Sequence, residues 1–193
     1  MRFLVNVSVR PWQVPAALVA VWLWTGLVTA ACAESAKPAI EAFFGTFKGQ
    51  TILESDGVMT TRDLDVAIAP SRTGFNVHWT TTTLGRDGAL KRESSSIDFE
   101  PTRRAGIFAS QMRSDMFGNR IPLDPLRGDP FVWARLIETT LTVYALLITD
   151  DGGYEMQVYH RTLADGGLSL RFFRFREGDA VRTVTASLKR TKS

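Results

Sequence analysis

The chain has 193 residues, enough for one domain once a leader is removed. It contains a single cysteine, so a disulfide framework is excluded and the domain has to rest on a hydrophobic core. The net charge is +3, and most of it belongs to the first residues of the chain. This balance gives no argument for a nucleic-acid partner, and none is predicted.

The first 33 residues have the layout of a secretory signal peptide. They contain Arg2 and Arg10 but no acidic residue, and an apolar block occupies Val14–Val28. The tripeptide Ala31-Cys32-Ala33 follows and fits a small-residue cleavage pattern. We therefore predict cleavage after Ala33, a secreted or periplasmic location, and a mature domain at residues 34–193.

Two other fates of this leader are open. The uncharged run Pro11–Ala33 is long enough to cross a bilayer, so it could be an uncleaved membrane anchor. Cys32 could instead be lipidated. Under any of the three, the leader is the only part for which membrane contact is predicted.

The mature chain opens with Pro38–Phe43, which predicts one helical turn, and continues as a series of short strands. In Val58–Ala69, for example, apolar and polar residues alternate as in a half-buried strand. Arg113–Arg127 interrupts the series without a sustained period. The Asp129-Pro130 pair then resembles a capped helix start and predicts a second short helix at Phe131–Ile137.

The last third, Thr139–Arg190, predicts four consecutive antiparallel strands joined by Asp- and Gly-rich turns. On the second of these strands the apolar parity, which includes Tyr154, Met156 and Val158, is predicted to face inward. On the third, the apolar parity changes at Phe172-Phe173, which predicts a β-bulge there.

Eight or nine long antiparallel strands with one apolar face favour closure, because a wide twisted sheet curls and its open edges promote aggregation. The predicted fold is all-β, a single up-and-down barrel of about eight to nine strands with one or two short helices. A barrel of this size is wide enough for one small ligand.

The start of the first strand, Gly45-Thr46-Phe47, resembles the Gly-x-Trp motif of the calycin group, which includes lipocalins and fatty-acid-binding proteins. Phe47 stands where that group has Trp. The resemblance implies that a basic residue on the last strand, Arg190 or Arg182, covers the Phe47 ring. It also implies an apolar barrel interior that carries a small lipophilic or amphipathic molecule.

The predicted ligand site combines a cation with aromatic walls. Arg182 and Arg190 share the inward parity of the last strand and could pair with an anionic head group. His160 could contact the ligand. The aromatic residues predicted to line or cover its apolar part are Phe75, Trp79, Trp133, Tyr154 and Phe172.

Catalytic and metal-binding motifs are scarce. The chain has two histidines and lacks the G-x-S-x-G, P-loop and H-E-x-x-H patterns. No metal and no cofactor are predicted, and the first hypothesis is a non-catalytic binding protein.

Two alternatives remain. The first is a structural or protein-interaction barrel without a cavity, which exposed outward residues such as Leu146, Ile148, Phe173 and Phe175 would favour. The second is an isomerase or hydrolase on the same scaffold that uses His160 with a neighbouring acid.

Overall fold

The computed structural model describes residues 39–55, 58–85, 88–114, 120–121 and 123–191. The predicted signal peptide lies outside these residues. Two short 3-10 helices are present, η1 at Ile40–Phe43 and η2 at Pro125–Arg127. The strands are β1 Gly45–Ser55, β2 Val58–Pro70, β3 Phe75–Leu84, β4 Leu90–Pro101, β5 Ile107–Ser110, β6 Arg113–Ser114, β7 Arg120–Ile121, β8 Phe131–Ile137, β9 Thr140–Ile148, β10 Tyr154–Ala164, β11 Gly167–Arg176 and β12 Asp179–Thr191.

Ten of these strands form one closed antiparallel barrel. Their order around the barrel is β1, β12, β11, β10, β9, β8, β5, β4, β3, β2, and β6 with β7 forms a separate two-stranded sheet. The predicted all-β up-and-down barrel is therefore confirmed, with ten strands rather than eight or nine. The predicted helical turn is also present, as η1 at Ile40–Phe43, and Pro38 lies outside the described residues.

The three tight turns predicted in the last third of the chain are present. Each contains a glycine with positive φ, at Gly152 (82°), Gly166 (73°) and Gly178 (93°). Left-handed backbone of this kind is accessible to glycine without a steric penalty. The turns therefore place β9, β10, β11 and β12 next to one another in chain order.

The prediction of a helix at Phe131–Ile137 is wrong, because this segment is strand β8. It pairs with β9 along its whole length, from Phe131 opposite Leu146 to Ile137 opposite Thr140. The Asp-Pro helix start exists, but at the earlier pair Asp124-Pro125. There the Asp124 carboxylate accepts a hydrogen bond from the Leu126 amide at 3.0 Å and caps η2.

The predicted orientation of β10 is also wrong. Its inward side carries Gln157, Tyr159 and Arg161, whereas Tyr154 is on the outside. The β9–β10 turn sets this register, because the Thr149 amide donates a hydrogen bond to the Gly153 carbonyl and odd-numbered residues of the two strands then face one another. Odd residues of β9 point into the core, so the odd residues of β10 do too.

The bulge lies at a different position from the predicted one. The pairing of β11 with β12 shifts between Arg174 and Phe175, and the extra residue is Val181 on β12. Phe172 faces the barrel interior and Phe173 faces outward without any change of parity between them.

One end of the barrel, the closed end, is filled with apolar side chains. Phe43 of η1 and Phe47 of β1 are both completely buried there. Phe75 stacks on Phe99 at a ring distance of 5.1 Å. The other members of this packed cluster are Val66, Ile68, Val77, Val132, Ala134, Leu141, Val143, Leu168, Leu170, Ala186 and Leu188.

The barrel closes where β1 meets β12, and the predicted contact between a basic residue and the Phe47 ring is made by Arg190. The guanidinium carbon lies 4.6 Å from the ring centroid. Arg190 also donates hydrogen bonds to the backbone carbonyls of Phe44 and, at 3.1 Å, Ala42. Gly45 has a φ of 147°, which residues with a side chain rarely adopt, and a Cβ at this position would also displace the Arg190 guanidinium.

Among the residues that the structure describes, no helix has the length and apolar character needed to cross a membrane.

Candidate functional site

The opposite end of the barrel contains a cavity of about 280 Å³. This end, the mouth, is where β1, β3, β9 and β11 end and where β2, β4, β10 and β12 begin. The volume is near the lower limit of small-molecule sites, roughly 300–1,000 Å³. The side chains that contribute most to its lining are Arg62, Leu64, Trp79, Gln157, Tyr159, Arg161, Leu170, Phe172, Arg174, Arg182 and Val184.

The change from packed core to cavity follows the inward residues of single strands. On β11 these are Leu168 and Leu170 near the closed end, then Phe172, then Arg174 near the mouth. On β12, Leu188 and Ala186 are likewise followed by Val184 and Arg182. Polar side chains therefore replace aliphatic ones at the same depth on neighbouring strands, and the interior is not filled there.

Arg161 lines the cavity and is the most deeply buried charged residue in the described part of the chain. Its exposed fraction is 1%. Its guanidinium lies 5.6 Å from the Trp79 ring centroid and 5.3 Å from that of Tyr159. Its Nε and Nη1 atoms make no hydrogen bond to any residue that the structure describes. An unpaired, buried guanidinium is costly and calls for an acceptor.

Burial lowers the pKa of the Arg161 guanidinium from its ordinary value to about 10. A change of this size corresponds to about 3 kcal/mol against the charged form. Arg161 nevertheless stays protonated at neutral pH, since its pKa remains well above 7. The barrel therefore holds a permanent positive charge in its interior, next to two aromatic faces.

The other inward polar residues of β10 form a chain of hydrogen bonds. The Tyr159 hydroxyl donates to Gln157 Oε1 at 2.9 Å, and Gln157 Nε2 donates to Glu155 Oε1 at 2.7 Å. Arg174 completes the chain through an ion pair with Glu155 at 2.5 Å. Burial opposes ionisation of Glu155, but the hydrogen bonds from Arg174 and Gln157 outweigh it, so the pKa of Glu155 is lowered.

Two more arginines that line the cavity each have one nitrogen without a hydrogen-bond partner. Nε of Arg62 and Nε of Arg174 are shielded from solvent and make no hydrogen bond within the described part of the chain. Arg182 stands at the mouth with an exposed side chain. Four arginines from four strands thus reach one cavity.

Three residues singled out from the sequence line this cavity. They are Arg182, Trp79 and Phe172. Trp79 lies beside Tyr159 at a ring distance of 5.5 Å, and Phe172 lies on the other side of Tyr159 at 4.7 Å. The aromatic wall of the cavity therefore has Tyr159 at its centre.

The other candidates lie elsewhere. Arg190 covers Phe47 at the closed end, and Phe75 belongs to the packed core. Tyr154 is on the outer face of the barrel, 39% exposed. Trp133 is also on the outer face, where it stacks on Tyr144 at 4.8 Å.

His160 lies on the outer face as well. Its Nδ1 hydrogen-bonds with the Thr142 hydroxyl at 2.9 Å, and its ring meets the edge of Phe173. Burial and the nearby Arg171 lower its pKa, so the ring is mainly neutral at pH 7. No hydrogen bond or ion pair joins it to a carboxylate in the part of the chain that the structure describes.

The outer surface differs between the two sides of the barrel. On β1–β4 it is mostly polar, with pairs such as Gln50–Asp63 and Lys48–Asp65, and the exposed apolar residues Ile52, Met59, Leu84 and Leu90 lie toward the mouth. On β8–β11 the outward residues are mostly apolar, and we call this surface the outer apolar face. Its members are Phe131, Trp133, Tyr144, Leu146, Ile148, Tyr154, Met156, Val158, Phe173 and Phe175.

Arg161, Tyr159 and Gln157 were missed because β10 was assigned the wrong inward side. The apolar residues Met156 and Val158 belong to the outer apolar face, so hydrophobicity alone indicates the wrong parity. The signal that identifies Arg161 is the length of the turn between Thr149 and Gly153. It places Arg161 opposite Leu141 of the core strand β9.

No protein-family model matches this sequence, and no curated protein matches it at a significant level. Among the described residues, no group of three or more His, Cys, Asp or Glu side chains is arranged to hold a metal ion.

Proposed function

We propose that this barrel binds a small amphipathic anion in its interior cavity without chemical conversion. The single observation that carries this proposal is Arg161, a buried cation with two nitrogens that lack an acceptor. A charge in this position costs stability, and its contacts with the Trp79 and Tyr159 rings do not supply the missing hydrogen-bond acceptors. An anionic ligand group offsets that cost because it supplies both the missing charge and the missing acceptors.

The rest of the cavity suits the apolar part of such a ligand. Trp79, Tyr159 and Phe172 form an aromatic wall, and Leu64 and Val184 add aliphatic surface. Arg182 at the mouth would attract an anion and remain near it once bound. The lining residues include neither histidine nor cysteine, which favours binding over catalysis.

The barrel start supports a calycin-like carrier. Gly45-Thr46-Phe47 opens β1, Arg190 of the last strand covers Phe47, and the sheet is closed and antiparallel. With the predicted signal peptide, the proposal is a secreted or periplasmic carrier, released by cleavage after Ala33 or held at the membrane by the leader.

The test compares hexanoate, hexanol and hexylamine by isothermal titration calorimetry. We expect hexanoate to bind at least about tenfold more tightly than the other two, a difference of about 1.4 kcal/mol. Arg161→Met should remove this preference. Arg171→Met is the matched control, because Arg171 is an exposed arginine on the outward side of β11. Equal binding of the three compounds, or an unchanged preference in Arg161→Met, would overturn the proposal.

The outer apolar face favours a second candidate function, association with a second copy of the chain. It carries the stacked Trp133–Tyr144 pair and a half-exposed Phe131, and aromatic residues of this kind are enriched at interfaces. Sedimentation velocity of the wild type and of Trp133→Ser tests it, with His78→Ser on the polar side as control. A concentration-dependent dimer lost only in Trp133→Ser supports association, and a monomer at all concentrations excludes it.

A further inference from the structure

The arginines of the cavity outnumber the acids available to them. Arg62, Arg161 and Arg182 have no ion pair with any described residue, and only Arg174 is paired, with Glu155. Arg174 keeps an unpartnered Nε even so. Among the described residues, no ion pair therefore neutralises the charges of Arg62, Arg161 and Arg182.

The acids near the mouth are already engaged. Glu93 pairs with Lys91 at 2.7 Å, and its side chain is 65% exposed. The hydrogen bond and charge of Lys91 lower the pKa of Glu93, and Arg62 adds a smaller effect. Asp65 also borders the cavity, and its Oδ1 lies 3.0 Å from Lys48 Nζ as an ion pair, without the geometry of a hydrogen bond. These carboxylates leave the charge of Arg161 uncompensated.

The donors also limit what the anion can be. Guanidinium nitrogens only donate, and the Tyr159 hydroxyl gives its proton to Gln157. Unpartnered nitrogens belong to Arg62, Arg161 and Arg174, which reach the cavity from β2, β10 and β11. A carboxylate offers two oxygens in one plane, whereas a phosphate monoester offers three oxygens in a tetrahedral arrangement and carries two charges at neutral pH.

We propose that the ligand of this cavity is a small phosphate monoester, bound as the dianion, with its phosphate among Arg62, Arg161 and Arg174 and its apolar group against Trp79 and Phe172. This inference rests on the proposed function and names the ligand class of the same site. The cavity volume of about 280 Å³ restricts the apolar group to a short chain or a single ring.

The test uses hexyl phosphate and hexyl sulfate, which share their chain and tetrahedral head but differ in charge. Since the second pKa of a phosphate monoester is about 6, hexyl phosphate is mainly a monoanion at about pH 5 and a dianion at about pH 7.5. Calorimetric titrations of the full-length protein are made at both pH values with both compounds. Hexyl sulfate reports any effect of the protein's own groups that face the site, namely Asp65 from β2, Glu93 from β4, Glu155 and Tyr159 from β10 and the four arginines.

We expect hexyl phosphate to bind at least about tenfold more tightly than hexyl sulfate at the higher pH and to lose that advantage at the lower pH. Arg62→Met should reduce the advantage, and Arg171→Met should not. If hexyl sulfate and hexanoate bind as well as hexyl phosphate at both pH values, the dianion inference is overturned and the proposed function stands. If no anion binds, both are overturned.

Discussion

The same strands build both ends of the barrel interior, but one end is packed with apolar side chains and the other holds a cavity lined by arginines and aromatic rings. At the closed end, Phe47, Phe75 and Leu188 are fully buried among apolar neighbours. At the inner end of the cavity, opposite Leu141 and Leu170, Arg161 is as deeply buried, but two of its nitrogens make no hydrogen bond with any described residue. Burial alone therefore does not show what a residue contributes. Burial of apolar side chains at the closed end stabilises the fold, whereas burial of the Arg161 charge in the cavity has a cost that a ligand can offset.

This difference predicts that substitutions at the two ends change stability in opposite directions. Truncating an apolar residue of the closed end should destabilise the fold without a direct effect on binding. Replacing Arg161, the buried cation of the cavity, should remove binding and stabilise the ligand-free protein. Residues that are needed for function often lower the stability of the protein relative to substitutions at the same position.

The largest effect is expected for Phe47→Ala at the closed end. Loss of this ring leaves a cavity and removes the surface that Arg190 covers, and the free energy of unfolding should fall by about 3–5 kcal/mol. Urea denaturation followed by circular dichroism measures it. Phe173→Ala on the outer apolar face is the control, with an expected loss of about 1 kcal/mol. Equal losses in the two variants would contradict a packed closed end.

Glu155→Gln should come next, with a loss of about 1–3 kcal/mol at neutral pH, because Arg174 then lacks its carboxylate. The effect depends on pH. The pKa of Glu155 in the folded protein is below its ordinary value of 4.5, so the ion pair stabilises the fold above that value. The stabilisation is lost as the pH falls through the lowered pKa.

Denaturation curves of the wild type and Glu155→Gln between neutral pH and the acid range check this prediction. The difference in unfolding free energy should be full at neutral pH and should shrink below pH 4.5. A difference that is constant over the whole range would show that ionised Glu155 does not support the Arg174 side chain.

Arg161→Met should raise the unfolding free energy of the empty protein by about 1–2 kcal/mol. Methionine has a similar length but no charge to bury, and the lowered pKa of Arg161 shows that burial outweighs the attraction of the guanidinium to nearby groups. Thermal unfolding measures the change, with Arg171→Met as control. A loss of stability in Arg161→Met would mean that its contacts with Trp79 and Tyr159 dominate.

The smallest effect is expected for Arg190→Met, a loss of about 1 kcal/mol. Arg190 contributes a cation–π contact to Phe47 and two hydrogen bonds to backbone carbonyls, but its side chain is exposed. Ligand binding should be unchanged, because Arg190 does not line the cavity. Calorimetric titration of Arg190→Met with hexanoate measures this. Weaker binding than in the wild type would show that a change at the closed end alters the cavity.

The sequence predicts the barrel better than its site. Alternation along strands such as Val58–Ala69 and the Asp- and Gly-rich turns are local signals, and they correctly indicate an up-and-down barrel. The contact of a basic residue with Phe47 was implied by the resemblance of Gly45-Thr46-Phe47 to the calycin Gly-x-Trp start, and Arg190 makes it.

The site depends on which side of each strand faces inward, and β8–β11 carry apolar residues on both sides. Trp133, Tyr154 and His160 were therefore expected to contact the ligand, and Arg161 was not among the candidates. Phe131–Ile137 was assigned to a helix for a related reason, since a short apolar run is compatible with either structure. Its pairing with β9, a contact between two strands, makes this segment a strand.

The most direct test of the central claim is the ¹H–¹⁵N resonance of Arg161 Nε, assigned by its absence in Arg161→Met and recorded before and after addition of hexyl phosphate. The buried Nε has no acceptor in the empty barrel. We predict a large downfield proton shift on binding as the anion accepts a hydrogen bond, with no comparable shift for the exposed Arg171. A saturating ligand that leaves the Arg161 resonance in place would contradict an anion site in the barrel interior.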